Sequence, residues 1–150
     1  MNELQELYQQ LILDHNANPR NYGELAEKNH WAEGHNPLCG DHLFLELNVE
    51  DSIIKEVAFS GEGCAICKAS SSLMTERLVG KTVDECKKLF EVFHNLATSD
   101  DDATEFSEFL GKLIVFSGVR EFPMRVKCAT LCWHTLMAAL EQNNKVAVTE

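Results

Sequence analysis

No apolar run in this 150-residue chain is long enough to cross a bilayer; Leu113-Ile114-Val115-Phe116 is typical of their length. The opening residues, Met1-Asn2-Glu3-Leu4-Gln5-Glu6, are acidic and polar. They lack the features of a secretory signal or a mitochondrial presequence. Basic charge is also scarce: 13 Lys and Arg stand against 24 Asp and Glu, a net charge of −11. Such a surface repels phosphates, which argues against nucleic acid as a partner. Internal repeats and low-complexity tracts are missing too. What is present is a chain 45% hydrophobic, enough for one compact core and therefore a single domain over residues 1–150. A core of that size needs no disulfides, so the six cysteines are expected as free thiols in a reducing compartment. The expected location is cytoplasmic, with no membrane contact.

Periodicity divides the chain into strands first and helices afterwards. Leu4, Leu7, Tyr8 and Leu11 have the spacing of an amphipathic helix over 3–15, and 16–23, with Asn-Pro and a glycine, reads as loop. Residues 26–36 lean towards a short strand around Trp31. Clean alternation of Leu43, Leu45, Leu47 and Val49 predicts a strand, and Glu50-Asp51-Ser52 a tight connection to a second arm over 53–60. Ile66, Ala69, Leu73 and Met74 line a helix that Gly80 closes. Thr82 with Glu85 is a capping-box pattern opening the next helix, whose stripe is Val83, Cys86, Leu89, Phe90 and Phe93. A polar break over 98–102 precedes a shorter helix over 106–115. Gly118 and Pro123 bracket a second break, and 126–141 is the last helix. The order indicates an α+β fold: a short three-stranded antiparallel sheet with helices packed on one face.

Each cysteine has its own setting. Cys39, in Asn36-Pro37-Leu38-Cys39-Gly40-Asp41, stands on a rigid turn rather than in a core. Asp41, two residues on, shares its face in an extended conformation, so a thiolate and a carboxylate can reach one ion. Cys64 follows Gly61-Glu62-Gly63 and opens a helix, where free N–H groups lower a thiol pKa from about 8.5 to about 7.5 or below. With Cys67 it forms a Cys-x-x-Cys, the signature of a thiol–disulfide oxidoreductase, although the preceding strands read as a hairpin rather than a βαβ unit. Cys128, between Lys127 and Ala129 near the start of the last helix, has basic neighbours that favour thiolate. Cys132 follows at i+4, on the same flank of the core stripe. His134 points roughly 120° away from Cys128, towards solvent or a partner. Cys86 falls at a core position and packs as a small hydrophobe. Three thiolates and a carboxylate make a tetrahedral set suited to zinc, and thiolates equally suit iron–sulfur clusters. The intervals separating Cys39, Cys64 and Cys128 exceed any zinc-finger pattern, so the fold must assemble the site.

Several of these stretches together resemble the SufU/IscU/NifU N-terminal family. They are Asn36 to Asp41, Gly61-Glu62-Gly63-Cys64, Ala69 to Glu76, Gly80-Lys81-Thr82 and Lys127-Cys128-Ala129-Thr130-Leu131, in order. The opening Asp14-His15 and Asn18-Pro19-Arg20-Asn21 fit as well. The resemblance covers nearly the whole chain and implies iron–sulfur cluster assembly on an α+β fold. It places the site at Cys39, Asp41, Cys64 and Cys128. Scaffolds of the IscU type carry a histidine before the last cysteine and build a [2Fe–2S] cluster; here that position is Lys127, and an extra segment, roughly 98–116, precedes the final helix. Both features resemble the SufU branch, which implies zinc and the acceptance of persulfide sulfur from a cysteine desulfurase. Cys67 and Cys132 depart from the family, which more often has small residues there, and are read as alternative ligands, a sulfur relay or inert substitutions.

On that basis zinc is expected on Cys39, Asp41, Cys64 and Cys128, with Cys39 as the sulfur-accepting nucleophile and Arg125 balancing the charge of Asp41. The activity is then sulfurtransferase-like, and the partners are a cysteine desulfurase and apo iron–sulfur proteins or downstream assembly proteins. Three alternatives stand beside it, the first of which keeps the same residues. A non-enzymatic scaffold would carry a transient [2Fe–2S] cluster or iron; an oxidoreductase would use Cys64 and Cys67; a structural zinc domain would do no sulfur chemistry.

Overall fold

Asp51 and Ser52 both sit at positive φ, 54° and 63°, the backbone that a two-residue hairpin turn demands. They join β2 (Asp41–Glu50) to β3 (Ile53–Glu62), and β1 (His30–Asn36) pairs antiparallel on the other side of β2. The computed structural model describes residues 3–99 and 106–141 together with the backbone of 147–148. The helices are α1 (Glu3–Ala17), α2 (Ala65–Leu78), α3 (Val83–Thr98), α4 (Ser107–Leu110) and α5 (Pro123–Leu140), with a 3-10 segment over Gly111–Glu121. The expected three antiparallel strands are present, and a two-residue strand, β4 (Ala147–Val148), adds in parallel along β1. Residues 100–102 of the expected polar break lie outside the described residues.

The alternation read from the sequence fixes the sheet's faces. Leu43, Leu45, Leu47, Val57 and Phe59 are buried, while Trp31 and Phe44 on the other face are exposed. Helices α2 and α5 pack onto the sheet. Helix α5 comes close over β1 because Gly34 has no side chain: a Cβ there would lie 2.0 Å from Thr135 Oγ1. Helix α2 is buried almost all round. Its Ser70, Ser71, Ser72 and Thr75 are fully buried, and each finds a partner, as buried hydroxyls must. Ser70 donates to Ala129 O at 2.6 Å, and Ser72 Oγ meets His15 Nδ1 at 2.7 Å.

Three expectations need correcting. In α1 the stripe is displaced: Leu4 and Leu7 are exposed, whereas Leu11 and Ile12 pack on the core and His15 is fully buried. His15 ties α1 to α2, its Nδ1 meeting Ser72 Oγ at 2.7 Å and its Nε2 lying 3.6 Å from Glu76. Between 106 and 121 the helix is α only to Leu110; Gly111, at φ 55°, ends it, and the chain continues as 3-10 helix. Leu110, Leu113, Phe116 and Val119 are all buried, and their spacing of three suits three residues per turn. Pro123 is not in a break but at the first turn of α5, where its missing N–H costs nothing and its fixed φ helps. The capping box at Thr82 and Glu85 is as expected.

Candidate metal centre

The β1–β2 connection is the four-residue loop Pro37-Leu38-Cys39-Gly40, closed by Gly40 N–H donating to Asn36 O at 2.9 Å. Gly40 turns at φ 75°, which a glycine adopts without strain. Cys39 is therefore exposed at a hairpin tip, and Asp41 starts β2 directly below it. Because the strands are antiparallel, the start of β2 lies beside the end of β3, with His42 opposite Glu62. That pairing brings the β3–α2 junction, Gly63 and Cys64, next to Asp41. Helix α5 crosses β1 and delivers Cys128 to the same end.

Ligand atoms of Cys39, Asp41 and Cys128 all lie within 4.8 Å of one another, and the Cys39 and Cys128 sulfurs are 3.5 Å apart. Asp41 is fully buried. Its Oδ1 accepts from the Cys64 N–H at 2.9 Å, while its Oδ2, equally buried, has no partner. An orphaned carboxylate oxygen is costly unless something cationic or a donor meets it. Beside two sulfurs, it makes this group able to hold a metal ion. Cys64 is not one of the three mutually close residues; it joins the cluster through the Cys128 thiol, with which it shares a hydrogen bond. So the expected four residues meet at one end of the sheet, three as a tight group and Cys64 at its edge.

Cys64 caps α2. Its backbone is extended, at ψ 170°, and its sulfur accepts from the Cys67 N–H at 3.4 Å. The hydrogen bond from Cys128, aided by that amide, brings the Cys64 thiol down to about 6 against the opposition of burial and the Asp41 charge. Cys128 moves the other way: holding its proton between the Cys64 and Cys39 sulfurs, and buried, it is pushed up. In metal-free protein the rate of Cys64 alkylation should therefore rise with pH around a midpoint near 6 and level off above it. Mass-resolved alkylation across pH measures this. In Cys128→Ala the midpoint should move up towards an ordinary thiol.

The remaining cysteines, Arg125 and His134 are not among the three mutually close ligands. Cys67, Cys86 and Cys132 are buried, and burial pushes Cys86 and Cys132 up to about 11. Arg125 does not balance Asp41: its guanidinium lies 4.4 Å from the Phe122 ring centroid. His134 does not face open solvent or a partner; it packs against α3 beside Phe90 and His94, and burial lowers its pKa. Two contributors went unread in the sequence. Asn36 is fully buried, accepts from Leu38 N–H at 3.3 Å and directs its amide to the Cys128 sulfur at 4.0 Å. Gly63 leaves little room for a side chain, since a Cβ would lie 3.0 Å from Cys67 Sγ and 3.3 Å from Asp41 Oδ1, and those groups would have to shift by a few tenths of an ångström. The Asn-Pro pair was the available signal for the first, and the glycine before Cys64 for the second. No helix among the described residues is long and apolar enough to cross a membrane.

Comparison with known proteins points the same way. The zinc-dependent sulfurtransferase SufU of Bacillus subtilis is 37% identical over 135 residues, 89% of this chain and 88% of that protein. The iron-sulfur cluster assembly scaffold protein IscU of Streptococcus pyogenes serotype M1 is 32% identical over 143 residues, covering 95% and 88%. Among solved structures, a putative iron-sulfur cluster assembly scaffold protein for the SUF system from Fervidobacterium islandicum AW-1 superposes with a TM-score of 0.81 at 34% identity. That match covers 91% of this chain and 98% of that one. Residues 7–129 match the NifU-like N terminal domain, and with that extent and these relatives the chain belongs to this family.

Proposed function

We propose that this protein works in iron–sulfur cluster assembly as a zinc-dependent acceptor of persulfide sulfur from a cysteine desulfurase. The observation that carries the reading is the buried Asp41 carboxylate, within 4.8 Å of the Cys39 and Cys128 sulfurs, whose Oδ2 has no hydrogen-bond partner. Cys39, Asp41, Cys64 and Cys128 are the residues that would hold zinc. Bound there, the ion keeps the thiols deprotonated. The rest is the work of the chain. Cys39 and Cys64 are both exposed, but Cys39 stands on a short loop while Cys64 is held at the cap of α2, so Cys39 is the one a partner's persulfide can reach. Its sulfur attacks the outer sulfur of that persulfide; the sulfur–sulfur bond breaks, Cys39 carries the sulfane sulfur, and the desulfurase cysteine leaves as thiolate. Asp41 fixes the N-terminus of α2 through the Cys64 N–H and so keeps Cys64 in place while Cys39 moves. Downstream recipients are apo iron–sulfur proteins or other assembly proteins.

The similarity to a protein named as a zinc-dependent sulfurtransferase supports this reading, as does a lysine, Lys127, before the last cysteine. Metal analysis of the purified protein, paired with desulfurase turnover in its presence, is the test. One equivalent of zinc and a rise in turnover are expected. Iron with a visible cluster absorption, and no effect on turnover, would instead make it a scaffold.

A further inference from the structure

Cys64 and Cys67 occupy the cap and the third residue of α2, with the Cys64 sulfur 3.4 Å from the Cys67 nitrogen. Residues so spaced are neighbours along one face of a helix start, and the extended cap backbone swings the first side chain over the turn that carries the second. The Cys64 sulfur already lies over the turn that carries Cys67, accepting its backbone N–H. Cys67 is fully buried, yet its sulfur lies against Gly63 on the side where Asp41 also lies, and so borders the metal centre. An exposed sulfur at a helix cap with a sheltered one three residues on is the arrangement of a dithiol that opens and closes.

We propose that Cys67 releases the transferred sulfur as sulfide by closing a disulfide with Cys64, a step that rests on the sulfur-acceptor reading above. Cys64 first attacks the outer sulfur of the Cys39 persulfide, and Cys39 leaves as thiolate. The Cys67 thiol then attacks the inner sulfur of the Cys64 persulfide. The inner–outer bond breaks, the Cys64–Cys67 bond forms, and the Cys67 proton departs with the outer sulfur as hydrogen sulfide. The sulfane sulfur gains two electrons and the two thiols lose them, so no outside oxidant or reductant enters. A small-molecule or protein dithiol reopens the pair for the next round.

The test loads the purified full-length protein with a cysteine desulfurase and cysteine in the absence of added reductant. Alkylation then stops the reaction, and trapped sulfide, intact mass and peptide mass are measured. The unchanged chain should release close to one equivalent of sulfide and yield the 64–67 peptide about 2 Da light, as a disulfide. Cys67→Ser and Cys67→Ala should retain a mass gain of about 32 Da and release at least about tenfold less sulfide. Equal sulfide release from all three proteins, or a disulfide joining Cys39 to Cys128, overturns this step alone. If none of the three ever gains persulfide, the sulfur-acceptor reading falls and this step falls with it. A thermal melt of each variant checks folding, and the disulfide map of the unchanged chain decides the matter even if both variants unfold.

Discussion

Replacing Cys39 with alanine should reduce persulfide loading and desulfurase stimulation to background, a loss of roughly hundredfold or more, as for removal of any attacking nucleophile. The side chain is exposed on a four-residue loop, so the cut costs almost no packing. Far-UV circular dichroism and the melting temperature of the metal-free variant should match the unchanged protein. Cys64→Ala behaves differently, because Cys64 also caps α2 and accepts the Cys67 N–H. Its loss removes a cap, worth about 1 kcal/mol, as well as a cluster member. Full stimulation by the Cys39 variant would remove Cys39 from the transfer step.

Asp41→Asn should have opposite effects on two forms of the protein. In the metal-free form the carboxylate buries an oxygen with no partner, at a cost of about 1–3 kcal/mol. Asparagine keeps an oxygen for the Cys64 N–H and removes the buried charge. The metal-free variant should thus melt at or above the unchanged chain, by up to roughly 2–4 °C per kcal/mol gained. With zinc the order reverses: a neutral amide is a poor replacement for an anionic oxygen, and affinity should fall at least about tenfold to hundredfold. Chelator competition together with melting curves of both forms measures the crossing. A variant that binds zinc as before, and melts lower without it, would mean that Asp41 serves the helix cap alone.

Strand faces and most helices were legible because each buried face repeats: every second residue in β2, and Cys86, Leu89 and Phe93 along α3. The 3-10 segment was legible too, in the spacing of Leu110, Leu113, Phe116 and Val119, but that period is rare enough that an α-helix was expected instead. Helix α1 misled because its exposed leucines mimic a core stripe, while the residue that seats it is a histidine. At the metal centre, Cys39, Asp41 and Cys64 could be marked from their turn and cap settings. Cys128 was joined to them by the family resemblance and not by local spacing, because its closeness depends on where α5 crosses β1 over Gly34. Residue identity carries chemistry; the approach of two elements distant in the chain carries geometry.

The centre draws on chain segments of very different age during synthesis. Cys39, Asp41 and Cys64 emerge early, and the paired ends of β2 and β3 can set them side by side. Cys128 arrives only with α5, after all three of them, and reaches them only when that helix settles onto β1. An ion held by that group would therefore report that α5 has docked. A ribosome-bound chain stopped before α5 should be folded in part yet unable to retain an ion.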